Sequence, residues 1–176
     1  MNTVVVYKSK YGSTKKYAEW IAEVLKCDIF DMKNITVDFL LKYDVIIYGG
    51  GLYAEIINGL YIITKNFDKF KDKKIVVFTT GITPLDVRDY YDKLVYEKNF
   101  KTEETRKIKV FNFLGKMILE ELSPVHRTAI KGLKKIMSLK ENPTDMEKLL
   151  IKLCDANGDF SDKEAIFELI KYVKGE

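Results

Sequence analysis

Apolar runs with the length of strands alternate along this chain with segments of helical periodicity, and that alternation constrains the fold more than any other feature. Residues 4–7, 27–30, 44–48, 74–79 and 108–114 read as strands. Between the first two, Tyr17, Trp20, Ile21, Val24 and Leu25 recur at the spacing of one helix face. Ile56, Leu60, Ile63, Phe67 and Phe70 step by four and three, which predicts a second helix. Thr83, followed by Pro84 and Asp86, predicts a capped helix start, with Val87, Tyr91, Leu94 and Val95 turned inward. Beyond the fifth strand the pattern is helical over residues 125–139, 145–153 and 162–173, with capping boxes expected at Thr144/Glu147 and Ser161/Glu164.

Strands separated by helices imply a parallel sheet covered on both faces, a three-layer α/β/α domain. Right-handed crossovers leave few topologies, of which the doubly wound strand order 2-1-3-4-5 is a common one. In such a sheet, ligands bind beyond the C-terminal ends of the strands, where the winding direction switches between strands 1 and 3. The chain has 176 residues, the size of a single domain, expected over residues 1–176. Residues carrying chemistry should therefore lie just after strands 1, 3 and 4.

After strand 1, Ser9, Lys10, Tyr11, Gly12, Ser13 and Thr14 place hydroxyl groups around a glycine directly before a helix. A helix N-terminus has free N–H groups and partial positive charge, so the turn suits a phosphate. An ordinary Gly/Ser turn with a capping serine has the same composition. Neither GxxxxGK[ST] nor GxGxxG is present, so the turn is neither a Walker loop nor a dinucleotide fingerprint. After strand 3, Gly49, Gly50, Gly51, Leu52, Tyr53 and Ala54 offer glycine-rich backbone and an aromatic ring. After strand 4, Thr80, Gly81, Ile82, Thr83 and Pro84 offer a second approach. Two such loops beside a phosphate turn form a slot for a flat ring, on which Tyr53 could stack.

These three loops resemble those of flavodoxins. Residues 9–14 resemble the flavodoxin phosphate loop T/S-x-T-G-x-T, with Tyr11 where a threonine is usual. Gly50, Gly51, Leu52, Tyr53 and Ala54 resemble the flavin loop after strand 3, and Thr80, Gly81, Ile82 and Thr83 the loop after strand 4. Residues 111–115 and 123–137 are similar to a flavodoxin-domain subfamily that includes the menaquinone-dependent protoporphyrinogen oxidases. The resemblance implies a flavodoxin-like fold and one bound FMN. It further implies that Ser9, Tyr11, Gly12, Ser13 and Thr14 hold the phosphate. Gly50, Gly51, Leu52 and Tyr53 would then lie beside the isoalloxazine, and Thr80, Gly81, Ile82 and Thr83 would close its other side. Two features depart from the flavodoxin pattern. The net charge is +4 where electron-carrier flavodoxins are acidic, and an additional helical stretch follows strand 5.

The expected activity is that of an FMN-dependent oxidoreductase exchanging electrons or hydride at flavin N5, quinone-linked as in the protoporphyrinogen oxidase relatives. The alternative is a flavodoxin-type electron carrier with no substrate of its own. The expected partner is a redox protein or a small-molecule or quinone acceptor. A receiver domain would need an acidic pair after strand 1, where Lys8 and Ser9 stand, and an aspartate where the glycines stand after strand 3. Lysines are interleaved with Asp and Glu, so no nucleic-acid partner is expected. The basic segment 130–137 reads as a solvated helix face, with peripheral membrane contact as the other reading. His126 reads as a loop histidine, and no acid–base residue is assigned. Cys27 and Cys154 read as small buried apolar residues, with no spacing for a disulfide or zinc. Residues 155–159 begin like a calcium loop, but Phe160 and Ile166 replace the glycine and glutamate it needs. No run approaches the ~20 apolar residues of a membrane span. The start of the chain lacks signal-peptide character, so a cytoplasmic location is expected.

Overall fold

The computed structural model describes residues 2–176. Its main sheet contains β1 (Thr3–Lys8), β2 (Asp28–Asp31), β3 (Val45–Tyr53), β5 (Lys74–Gly81) and β6 (Lys109–Leu114), all parallel, in the order β2-β1-β3-β5-β6. This is the expected 2-1-3-4-5 winding of a flavodoxin-like fold, with one addition. The two-residue β4 (Ile56–Ile57) folds back antiparallel on the end of β3 and takes a number of its own.

The central strands are buried on both faces, as their continuous apolar runs require. On one face Val5, Ile47, Val76 and Phe78 pack against Tyr17, Ala18 and Ile21 of α1 (Ser13–Leu25) and against Leu169, Ile170 and Val173 of α7 (Phe167–Lys174). On the other, Val4, Val6, Ile46, Tyr48 and Val77 pack beneath α2 (Val37–Leu40), α3 (Tyr61–Thr64) and α4 (Tyr96–Asn99). The register aligns Lys8 with Gly50, Gly51 with Thr80, and Gly81 with Leu114, so the C-terminal ends of four strands meet along one edge.

Several expectations about single elements are corrected. Ile56, Leu60, Ile63, Phe67 and Phe70 do not share one helix: β4, α3 and a 3-10 turn at Phe67–Phe70 divide them. Gly59 interrupts the run with φ +82, and a Cβ there would lie 2.2 Å from the Tyr48 hydroxyl oxygen. The glycine triplet is not a loop but part of β3. Thr83 does not cap a helix; its carbonyl accepts the Tyr91 hydroxyl at 2.6 Å. The following helix runs through a π turn at Tyr90–Val95 into α4. That wider turn rotates Tyr90, Tyr91 and Val95 inward and leaves Leu94 exposed. Val24 on α1 is exposed as well, and Cys27 and Cys154 are only half-buried. Ser161 forms no capping box, because Asp159 takes both its N–H and its hydroxyl.

The stretch after β6 is an excursion. It leaves the sheet through β7 (Lys116–Met117), makes α5 (Pro124–Ser138) and α6 (Asp145–Leu153), and returns through β8 (Gly158–Asp159). β7 and β8 pair antiparallel, closing the excursion at its neck. Thr144 and Glu147 form the expected capping box on α6. Among the described residues no helix is long and apolar enough to cross a membrane.

Candidate functional site

The aligned strand ends open into a cavity of about 410 Å³, within the usual size range of cofactor pockets. One end is the turn between β1 and α1. Gly12 occupies the N-cap with φ +97, a conformation that favours glycine, so no side chain caps the helix. The first turn holds no acidic residue but does hold Lys15 and Lys16. Those cations oppose the helix dipole, an imbalance that a bound anion would offset. Ser9 Oγ accepts the Gly12 N–H at 3.1 Å, which fixes the turn. Ser13 Oγ accepts the Lys116 N–H at 2.8 Å, and the buried Thr14 and Thr80 hydroxyls lie 2.8 Å apart. The last pair joins the first turn of α1 to the end of β5.

The rest of the cavity is mainly apolar, with Lys10, Lys116 and His126 also on its lining. Leu52 and Tyr53 from β3 and Ile82 beyond β5 form one side. Met117, Leu122, Ala129 and Ile130 form another. The hairpin carrying Tyr53 is held under strain. Ala54 and Glu55 both adopt left-handed conformations, φ 48 and 63, unusual for residues with a side chain. Asn99 clamps them, donating to the Glu55 carbonyl at 2.7 Å and accepting the Ile57 N–H at 2.8 Å. Lys98 pairs with the Glu55 carboxylate at 2.6 Å.

Of the predicted site residues, Ser9, Tyr11, Ser13, Thr14, Gly51, Leu52, Tyr53, Thr80, Gly81 and Ile82 line this cavity together. Gly12 lies outside the lining, in a second depression formed with Ser9, Lys10, Lys15 and Lys33. Gly50 and Thr83 do not line the cavity. A Cβ on Gly50 would lie 2.8 Å from the Asn58 carbonyl oxygen, so this glycine serves the β3–β4 hairpin. Thr83 is buried and turned toward Tyr91.

The excursion's contribution is legible only in three dimensions. His126 is not a loop residue; it lies in the first turn of α5, whose cap is Ser123. Its Nδ1 is 2.7 Å from the Tyr11 hydroxyl, and its Nε2 is 3.4 Å from Lys10 Nζ. The rings of Tyr11, Tyr53 and His126 form a cluster with centroid separations of 5.4 to 6.5 Å. The two phenols differ electrostatically. Burial opposes ionisation of Tyr11, but hydrogen bonds with Ser123 and the nearby Lys10 ammonium outweigh it and hold that phenol below its ordinary value. Burial, with the Tyr11 oxygen nearby, pushes Tyr53 up to about 12.

A family model described as a flavodoxin domain matches residues 4–147. An uncharacterized protein of Methanocaldococcus jannaschii is 30% identical over 118 residues, 65% of this chain and 72% of its own length. Among solved structures, a WrbA-like flavodoxin of Agrobacterium tumefaciens aligns with a TM-score of 0.44 at 29% identity, covering 54% of this chain and 68% of that one. A flavodoxin from the domain Archaea covers 99% of both chains at 16% identity with a TM-score of 0.44. A flavoprotein of Lactobacillus acidophilus, solved in complex with FMN, covers 64% of this chain and 91% of its own at 18% identity with a TM-score of 0.40. The family match begins within β1 and runs through the whole sheet and α5 into the first turn of α6, so the chain belongs to the flavodoxin domain family.

Proposed function

We propose that this protein is an FMN-dependent oxidoreductase whose cavity admits a small acceptor beside the cofactor. FMN is the cofactor of a flavodoxin domain, and the residues present fit its shape. The observation that carries the reading is the asymmetry of the cavity. Its polar end combines an uncapped, acid-free helix N-terminus with three hydroxyl side chains, Ser9, Ser13 and Thr14. Its other end is apolar and aromatic. A ligand with an anionic tail and a flat apolar ring matches both ends at once.

Ser9, Ser13 and Thr14 would hold the phosphate together with the free N–H groups of the α1 turn. Leu52, Tyr53 and Ile82 would flank the ring. When bound, FMN supplies a centre that exchanges electrons or hydride at N5. The protein's own part is to orient the ring, keep water from it and limit what reaches it. The wall of Met117, Leu122, Ala129 and Ile130 favours an enzyme with an apolar acceptor over a carrier with a bare cofactor edge. A quinone acceptor rests further on the similarity of residues 111–115 and 123–137 to the protoporphyrinogen oxidase relatives. The test is an absorbance spectrum of the protein after incubation with FMN and removal of the excess. Flavin bands that stay with the protein are expected, and reduced protein should then pass its electrons to a soluble menaquinone analogue. Loss of all FMN at micromolar protein would sink the assignment. Retention without quinone reduction would sink the quinone-linked reading alone.

A further inference from the structure

Tyr11, which stands where the flavodoxin phosphate loop usually has a threonine, and the excursion after β6 meet in space. We propose that they are one device: α5 is the closing wall of the cofactor site, and Tyr11 is the catch that holds it shut. The FMN reading above is the basis of this proposal. Tyr11 is not a phosphate ligand on this account.

The geometry turns the Tyr11 hydroxyl toward the excursion. Its oxygen is 2.7 Å from His126 Nδ1, accepts the Ser123 N–H at 3.3 Å and lies 3.4 Å from Ser123 Oγ. Both partners belong to the start of α5, where Ser123 Oγ also accepts the His126 N–H. A threonine at position 11 is too short to make this connection. The substitution that looks like a defect in the phosphate motif therefore supplies the reach that the extra helix requires.

α5 has few other ties to the body of the domain. Met137 is its only buried residue, while Val125, Leu133, Ile136 and Leu139 at its end are exposed. Arg127 donates to the carbonyls of Leu119, Glu120 and Leu122, and Lys134 pairs with Asp155, all within the excursion. Among the described residues, every side-chain hydrogen bond from α5 or its cap to the body runs to Lys10 or Tyr11. The inner face of the same helix presents Ala129 and Ile130 to the cavity. Releasing the catch uncovers the ring end without disturbing the sheet, because segments with few buried contacts open locally at low cost.

The test is Tyr11→Phe, which keeps the ring and removes the hydroxyl. FMN release on dilution, followed by the fluorescence of the freed flavin, should become roughly 2- to 10-fold faster, the factor that one hydrogen bond of ordinary strength carries. Affinity of the apoprotein for inorganic phosphate should not change. In the apoprotein, amide exchange across α5 should speed up while that of β1 and β3 stays the same. The ring signals of His126, the sole histidine and so assigned without labelling, should shift. Loss of phosphate affinity in parallel with FMN would make Tyr11 a phosphate ligand and overturn the proposal. Unchanged α5 exchange would overturn it equally. Should the wild type retain no FMN, the cofactor reading falls while the apoprotein measurements still decide the catch. Ser123→Ala, which leaves Tyr11 in place, should accelerate α5 exchange by a smaller factor.

Discussion

The glycine triplet of β3 offers a perturbation series in which packing and ligand binding separate residue by residue. A methyl group added at Gly49 would lie 2.1 Å from Cζ of Phe78, with two more ring atoms at 2.5 and 2.6 Å. Carbon atoms pack at about 3.5–4.0 Å, so the ring would have to retreat by about 1.4 Å. Phe78 is fully buried and packs on Phe113 at 5.7 Å, so it has no solvent into which to move. Overpacking of this kind costs about 1–3 kcal/mol. For a domain of this size that is a fall in Tm of roughly 2–12 °C. Gly50→Ala should cost at least as much, because its methyl would meet the Asn58 carbonyl oxygen at 2.8 Å and backbone cannot swing aside. Gly51→Ala should leave Tm within about 2 °C, the shift that about 0.5 kcal/mol produces in a domain of this size. Its nearest neighbour is the Tyr53 ring at 3.2 Å, which can yield a few tenths of an ångström. The new methyl would enter the cavity, however, and FMN affinity should fall roughly tenfold, equivalent to about 1.4 kcal/mol of displaced packing. Thermal unfolding followed by circular dichroism, paired with FMN titration of each folded variant, reads both effects. Equal Tm losses at all three positions would refute the reasoning. So would wild-type FMN affinity in Gly51→Ala.

Ala54→Gly should raise Tm by roughly 1–4 °C, since a left-handed residue with a Cβ carries about 1–2 kcal/mol of strain, partly offset by the freer unfolded glycine; a lower Tm would mean the turn is not strained. Asp159 is held down at about 2 by its Ser161 hydrogen bonds first and Lys16 second. Its unfolded value is about 3.9. A depressed carboxyl stabilises the fold above its unfolded value and loses that contribution as pH falls through the folded one. Asp159→Asn should therefore lower Tm slightly at pH 7, less at pH 3, and by a vanishing amount only once the pH is below about 2. The effect stays small because the pair is well exposed to solvent. A gap that widens toward acid would contradict the sign.

The winding of the sheet was legible because fully buried strands leave unbroken apolar runs, and the register then fixed which loops would converge. What sequence could not separate was glycine used for packing from glycine used for approach. Gly49, Gly50 and Gly51 are identical as letters and differ only in what stands opposite each of them. The steps of three and four from Ile56 to Phe70 misled for a related reason: a short strand and two tight turns can meet the same periodicity. The Asn58-Gly59 pair was the available turn signal. His126 could not be found from neighbours in sequence, because its partner lies 115 positions away and is an aromatic in a loop read for its hydroxyls and glycine.

The pairing of β7 with β8 has an evolutionary consequence. Met117 and Gly158 stand opposite each other in the ladder, so the 40 residues between them begin and end at one point on the surface. A segment with adjoining ends can be gained, lost or exchanged without rerouting any strand. The sheet and the β1–α1 turn then form a frame that is unchanged by whatever segment is carried between β7 and β8.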